Sequence, residues 1–390
     1  MDIFAKCVDF TDAKDLMATG LYPYFLPLTG NDGSTARYED REIVMCGSNN
    51  YLGLTADPRV KNAAQEAIAD LGTSNTGSRF LNGNLELHER LERSLADFYG
   101  REEALVFSTG YQANLGAVAG LAGRHDVVLL DKLVHASAID AAMLSGARIK
   151  FFQHNDPEAL DRRLAACPPD AGKLVVVDGV YSMEGDICAL PLLRDVCRAH
   201  GARLVVDDAH ALGVLGDGRG TAAHFGGEGA DLVTVTFSKS LASIGGAVIG
   251  DSAVVQYLRH HARSLIFSAS PSPSNAASAL MALEILKSEP WRVRQALSNA
   301  RYVRDALAAR GVPVGSSDTP IVPVFTEGRT ETFTLWRSLL DRGVYTNPII
   351  PPAASYRLRT SFMATHTTEQ LDFVIEAFLA EFANLPAAVS

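Results

Sequence analysis

The stretch LVTVTFSKSLASIGGAVIG, residues 232–250, decides how the rest of the chain is read. Val233, Val235 and Phe237 alternate with Thr234 and Thr236, the period of a strand. The run gives out at Ser238-Lys239-Ser240, passes Gly245-Gly246 and resumes as the apolar GAVIG. A single ammonium among small hydroxyl residues at a strand end has two readings. Exposed, it is an ordinary surface charge. Half-buried, its pKa falls and it becomes a nucleophile or a base.

Further runs of the same kind precede it: ALVFS (104–108), VVLL (127–130), IKFF (149–152), KLVVVD (173–178) and RLVVD (203–207). Without polar alternation they suit strands covered on both faces, as in a mostly parallel α/β sheet. Helical patterns at 111–121, 136–144 and 190–200 supply the crossovers. Ahead of them, NLELHERLERSLADFYG (84–100) puts Leu87, Leu91, Leu95 and Phe98 on one helical face and stops at Gly100.

After about residue 272 the pattern changes to long helices with separated strands: IVPVF, VYTN and YRLRTS. The last helix opens with Thr367 and Gln370 at capping-box spacing and carries a stripe of Leu371, Val374, Ile375, Phe378 and Leu379. The expected division is a large α/β domain at 55–285 and a smaller α+β domain at 286–390. The N-terminal segment, 1–54, packs on the small domain.

Composition narrows the function classes. The 390 residues carry a formal net charge of −10, which gives no reason to expect nucleic acid or an anionic membrane as partner. No apolar stretch reaches the ~18 residues of a membrane span. MDIFAKCVDF lacks the basic and apolar regions of a signal peptide. The five cysteines form no C-x-x-C pair, so they read as reduced thiols of a cytoplasmic protein, with no disulfide frame and no metal site.

Asp207 closes a buried strand, where open α/β sheets bind ligands. His135, in LDKLVHASAID, follows another strand end; taken alone, such a histidine is usually a core or capping residue. FSTGYQANLG is a strand, a small-residue turn and a helix start at Tyr111, and helix N-termini bind phosphate. Singly each signal is weak. Together they are the parts that pyridoxal phosphate requires: a lysine for its aldehyde, a carboxylate for its ring nitrogen and donors for its phosphate. Ser238 and Thr236 would then line the phosphate or the lysine.

The motifs GSNNYLGL (47–54), GSRFLNGNLELHERLE, VFSTGYQANLG, HASAID, GVYSMEGDI, DDAHALGVLG, TFSKSLASIGG and YRLRTS (356–361) span nearly the whole chain. With them the sequence resembles the α-oxoamine synthase family of fold-type-I pyridoxal-phosphate enzymes. GLYPYF, GSRFLNG, LVVVDGVYSMEGD and IFSAS resemble the bacterial serine palmitoyltransferases within that family. The resemblance implies a decarboxylative condensation of a small L-amino acid, serine favoured, with a fatty acyl thioester on coenzyme A or an acyl carrier protein.

It implies that Lys239 is the Schiff-base lysine and that Asp207 pairs with the pyridine nitrogen. His210 approaches the ring hydroxyl and His135 stacks on the ring, with a catalytic part. Gly110, Tyr111, Ser182, Thr236 and Ser238 lie on the cofactor side. Arg359 holds the amino-acid carboxylate, and Asn50 lies near the substrate. Ser268 reaches the phosphate of the other subunit in a homodimer with shared sites.

Three departures stand out. Asp208 replaces the glutamate of Asp-Glu-Ala-His. Asp178 stands where glutamate is common. The loop IIPPAASYRLRTS lacks the threonine-proline and the longer spacing after PPA. Alanine or glycine as the amino acid therefore stays open, as in the 8-amino-7-oxononanoate synthases. Transamination and a non-catalytic scaffold are the weaker readings. A dinucleotide oxidoreductase is disfavoured because GDGRGTAAHFGG (216–227) lacks G-x-G-x-x-G spacing between strand and helix.

Overall fold

A computed structural model describes residues 2–227 and 229–384. Strands β1 (Leu28–Asn31), β2 (Thr35–Tyr38) and β3 (Arg41–Met45) form an N-terminal meander. Seven strands follow: β4 (Glu103–Phe107), β5 (Val127–Asp131), β6 (Arg148–Phe152), β7 (Lys173–Asp178), β8 (Arg203–Asp207), β9 (Leu232–Thr236) and β10 (Gly246–Gly250). They make one sheet in the order β4-β10-β9-β8-β7-β5-β6. Its pairings are parallel except those of β10, which runs antiparallel to both β4 and β9. This is the expected α/β architecture, with one reversed strand that the apolar runs did not reveal.

The apolar runs have a direct cause. Every residue of β5, β9 and β10 is buried. A strand sends alternate side chains to opposite faces, and here both faces are dry. Val127 and Leu129 enter one apolar core, Val128 and Leu130 the other. Helices Gly110–Leu121 and Ala136–Ser145 cover the second face with Ala113, Ala117, Ala138 and Ala141. The first face is covered by Glu86–Tyr99, Leu190–Ala199 and Pro273–Ser288 through Leu91, Leu95, Leu193 and Leu283.

Beyond residue 300 a separate core gathers Val303, Leu307, Trp336, Leu358, Val374 and Phe378. Strands β11 (Ile321–Phe325), β12 (Val344–Tyr345), β13 (Asn347–Ile349) and β14 (Arg357–Ser361) belong to it. β11, β14 and β13 form an antiparallel sheet, while β12 pairs in parallel with β3. Ile43 and Met45 of β3 share this core. The last helix starts with the expected reciprocal cap: Thr367 N–H donates to Gln370 Oε1 (3.0 Å) and Gln370 N–H to Thr367 Oγ1 (3.2 Å).

The parallel strands end on one side. Asp178 pairs in register with Asp207, and Asp207 with Thr234. β10 brings Gly246 against the start of helix 110–121. A Cβ on Gly246 would stand 2.6 Å from Gly110 Cα and 2.7 Å from Gly110 N. Gly246→Ala must therefore push the helix start off the sheet. We expect a loss of ~1–3 kcal/mol, typical of overpacking, read as a lowered thermal midpoint. An unchanged melting curve would show that the two backbones have slack between them.

Candidate active site

At these strand ends lies a cavity of ≈ 250 Å³. Lys239, two residues beyond Phe237 in the loop from β9 to β10, opens into it. Gly110, Tyr111, His135, Ser182, Asp207, His210, Thr236 and Ser238 also line it. The sequence thus named nine lining residues that come from five separate segments. Protein surrounds the Lys239 amine. That desolvation lowers its pKa to about 8, against the pull of Asp207 and with help from Arg359.

Asp207 is 5 % exposed and held by two donors. Asn114 Nδ2 lies 2.7 Å from its Oδ2, and Ala209 N–H lies 2.9 Å from its Oδ1. Asn114 is fixed in turn: its Oδ1 accepts from Thr234 Oγ1 at 2.6 Å. Asp178, 4 % exposed, has among the described residues only His135 N–H as donor, at 3.2 and 3.4 Å to its two oxygens. Burial, then the neighbouring Asp207, raise the Asp178 pKa well above the carboxylate range. One carboxyl is well supplied with donors, and its neighbour is driven toward its protonated form.

His135 caps helix 136–145. Its Nδ1 accepts from Ser137 N–H at 3.2 Å, so the neutral ring carries its proton on Nε2. Its neutral form is favoured because desolvation outweighs the pull of Asp207. At the other end of the cavity, Thr109 caps helix 110–121 through Gln112 N–H (3.1 Å), and Ser238 Oγ lies 2.8 Å from Thr236 Oγ1. A helix start with free N–H groups beside two hydroxyls is an anion cradle. Gly110 is needed there, since a Cβ would come 2.7 Å from the Thr236 side chain.

Ser182 sits on the loop after β7. His154 ties that loop down, with Nδ1 3.0 Å from Asp131 and Nε2 3.0 Å from Asp186. Against the effect of burial, these two carboxylates raise the His154 pKa to about 10.

Arg359 of β14 does not line the cavity but reaches its rim. Its Nε donates to the Ser182 carbonyl (2.8 Å) and its Nη2 to Tyr51 Oη (3.2 Å). The residue is 4 % exposed, and among the described residues no carboxylate lies within ion-pair distance of it. A buried guanidinium without a counter-ion is a receptor for an anionic ligand.

Two further named residues do not line this cavity. Asn50 is turned inward: its Nδ2 donates to Thr55 Oγ1 (2.8 Å) and its Oδ1 accepts from Leu54 N–H (2.9 Å). Its neighbours Asn49 and Tyr51 instead join the cavity-lining His210, Tyr51 Oη lying 3.2 Å from Asn49 Oδ1 and 2.7 Å from His210 Nδ1. Ser268 is outside the cavity and accepts from Gln112 Nε2 of its own chain at 2.8 Å. Asn114 and Asp178 were not foreseen as site residues. Asn114 follows Gly110 by four positions, one helical turn, which is a legible signal.

This donor set fits pyridoxal phosphate: an amine of lowered pKa, a fixed carboxylate, an anion cradle closed by glycine and a carboxylate receptor at the rim. Such a site at the strand ends of such a sheet defines a fold-type-I transferase. Comparison with known proteins agrees. A family model described as aminotransferase class I and II matches residues 41–378. A serine palmitoyltransferase of Sphingobacterium spiritivorum is 44% identical over 378 residues, covering 96% of this chain and 95% of that one. An 8-amino-7-oxononanoate synthase of Geobacter sulfurreducens is 42% identical over 373 residues, covering 94% and 95%. A serine palmitoyltransferase from S. paucimobilis, solved with a bound PLP–myriocin aldimine, superposes with a TM-score of 0.95 at 36% identity, covering 98% and 99%. The chain belongs to the aminotransferase class I and II family, in its α-oxoamine synthase branch.

Capture of pyridoxal phosphate by cofactor-free protein requires the neutral amine of Lys239. Its rate should rise with pH and level off above about 8, where an ordinary lysine would go on rising to about 10.4. Rapid-mixing absorbance over a pH series reads this directly, with Lys239→Ala as the variant that gives no band. A rise continuing to pH 10 would mean that the amine is not depressed.

Proposed function

We propose that this chain is a pyridoxal-phosphate-dependent C-acyltransferase. It condenses a small L-amino acid, serine in first place, with a fatty acyl thioester to give an α-amino ketone, carbon dioxide and free thiol. The observation that carries this reading is the buried Arg359 without a counter-ion, set beside a cavity that holds an amine of lowered pKa. Bound pyridoxal phosphate supplies the electron sink that lets a Cα–H bond break.

The chain's own residues do the rest. Arg359 grips the amino-acid carboxylate through its planar fork and sets the orientation of Cα. Lys239, whose lowered pKa of about 8 leaves a usable neutral fraction near physiological pH, takes the Cα proton and later returns it. Asp207, held by Asn114 and Ala209, would pair with the ring nitrogen of the bound cofactor. His135 presents Nε2–H to a carboxylate or thioester oxygen. The Cα–acyl bond forms as the C–S bond breaks, the thiolate leaves, and the carboxyl group departs as carbon dioxide. Gly110, Tyr111, Thr236 and Ser238 would hold the phosphate. Ser182 positions Arg359 through its carbonyl.

A second reading differs only in the amino acid. The shortened loop after Pro352 is pinned by Arg357, whose Nη1 donates to the Met183 carbonyl (2.9 Å) and pairs with Glu184 (3.1 Å). The Geobacter relative is named for a different product. Both observations favour testing alanine and glycine beside serine.

We further propose a homodimer with shared sites, working in the cytoplasm. Ser268 flanks the anion cradle through Gln112, and Phe267 beside it is 72 % exposed. An apolar side chain so exposed next to a site is suited to cover by a second copy. All five cysteines are free, and no helix among the described residues is long and apolar enough to cross a membrane.

Two measurements test these readings. Spectral titration of the loaded protein should give its tightest response with L-serine, and Arg359→Ala should weaken amino-acid binding at least tenfold while the thioester KM holds. A response to alanine or glycine but not to serine would select the second reading. Sedimentation at assay concentration should give a dimer; a fully active monomer would end the shared-site proposal.

A further inference from the structure

Tyr51 is fully buried and stands where three parts of the chain meet. It belongs to the N-terminal segment, His210 to the loop after β8, and Arg359 to β14. Its hydroxyl has one proton to give and two lone pairs to fill. Arg359 can only donate, and Nη2 at 3.2 Å takes one lone pair. The proton has two possible acceptors, Asn49 Oδ1 at 3.2 Å and His210 Nδ1 at 2.7 Å. The shorter contact holds it. Rotation of the Asn49 amide then turns its NH2 to the second lone pair, and the proton and both lone pairs of the hydroxyl are satisfied.

Resting on the function argued above, we propose that Tyr51 is a positioning residue: it takes a hydrogen bond from Arg359 and gives its own to His210 Nδ1, fixing both the guanidinium and the tautomer of His210. His210 is then an Nε2–H donor, and that edge of its ring is the one left for the cavity. The chain of donors runs one way, from the guanidinium through the phenol to the imidazole, so the Arg359 charge polarises each bond toward the cavity. An oxygen bearing negative charge there finds a donor, not a lone pair. Burial, together with the positive charges of Lys239 and Arg359, keeps His210 neutral, as the relay requires. Burial likewise holds the Tyr51 hydroxyl in its protonated form. The same bond fixes one arm of the guanidinium before any carboxylate arrives, and the Ser182 carbonyl fixes another.

Tyr51→Phe keeps the ring and its volume and deletes the hydroxyl alone. Nitrogen-15 NMR of cofactor-free protein, with His210 assigned by its loss in His210→Asn, reads the tautomer without any turnover. Wild type should show His210 as Nε2–H, and Tyr51→Phe a mixture of both forms. An Nδ1–H ring in wild type, or no change in the variant, would overturn the proposal. In the loaded protein Tyr51→Phe should weaken amino-acid binding on the order of tenfold and leave the thioester KM in place; equal effects on both, or none, would count against it. Arg359→Lys combined with Tyr51→Phe should lose less than the sum of the single losses, and strict additivity would refute the coupling. Should Tyr51→Phe fail to fold, the wild-type tautomer still decides. A wild-type protein that takes up no pyridoxal phosphate would sink the function reading and leave the tautomer measurement standing.

Discussion

The parallel register of β7 and β8 sets Asp178 directly across from Asp207, both almost without solvent. Two carboxylates this close and this dry cannot both be charged at modest cost. The structure resolves the conflict with hydrogen-bond donors. Asp207 has a side-chain amide and a backbone N–H, whereas Asp178 has one long, shared backbone contact. Asp178 on β7 is therefore the one of the two driven toward its protonated form. Lys239 feels both groups, with desolvation outweighing their attraction. Were Asp178 to stay charged, its field would add to the negative surroundings of the amine. That added charge would raise the amine's pKa and blunt it as a base.

That balance depends on contacts from outside the seven-stranded sheet. Arg359 and Arg357 reach the 182–184 turn from β14, and His154 anchors the other end of the same turn to Asp131 and Asp186. The turn that carries Tyr51 is itself clamped. Arg292 donates to the Leu52 carbonyl at 3.0 Å and meets Asp57 at 3.3 Å and Glu289 at 2.7 Å. Charged side chains buried to this degree contribute geometry more than stability. Here each one ties a loop of the cavity to an element that packs in a core.

How much of this was legible in the sequence follows from range. The strands were readable because burial on both faces leaves apolar runs, and Lys239, Asp207 and His135 were readable because each sits where such a run stops. Gly110 and Ser238 followed from local turn chemistry. The reversal of β10 was not readable, since a strand buried on both faces has the same composition in either direction. Tyr51 was passed over for Asn50 because nothing local says which side chain of a tight turn faces inward. Its partners lie 159 and 308 positions away. Asp178 was seen as a departure, but its protonation depends on a register between strands that the sequence does not state.

The close approach of Gly246 to Gly110 gives the cavity two ends of different character. At the phosphate end, backbone lies on backbone, and no choice of side chain can retune the spacing. At the carboxylate end, the contacts are made by the long side chains of Arg357 and Arg359 on β14, directly after the short loop that follows Pro352. Variation in what the protein accepts has room only at that second end. A library aimed at residues 353–356 samples new substrates on an unaltered catalytic floor, whereas one aimed at the glycines samples only damage.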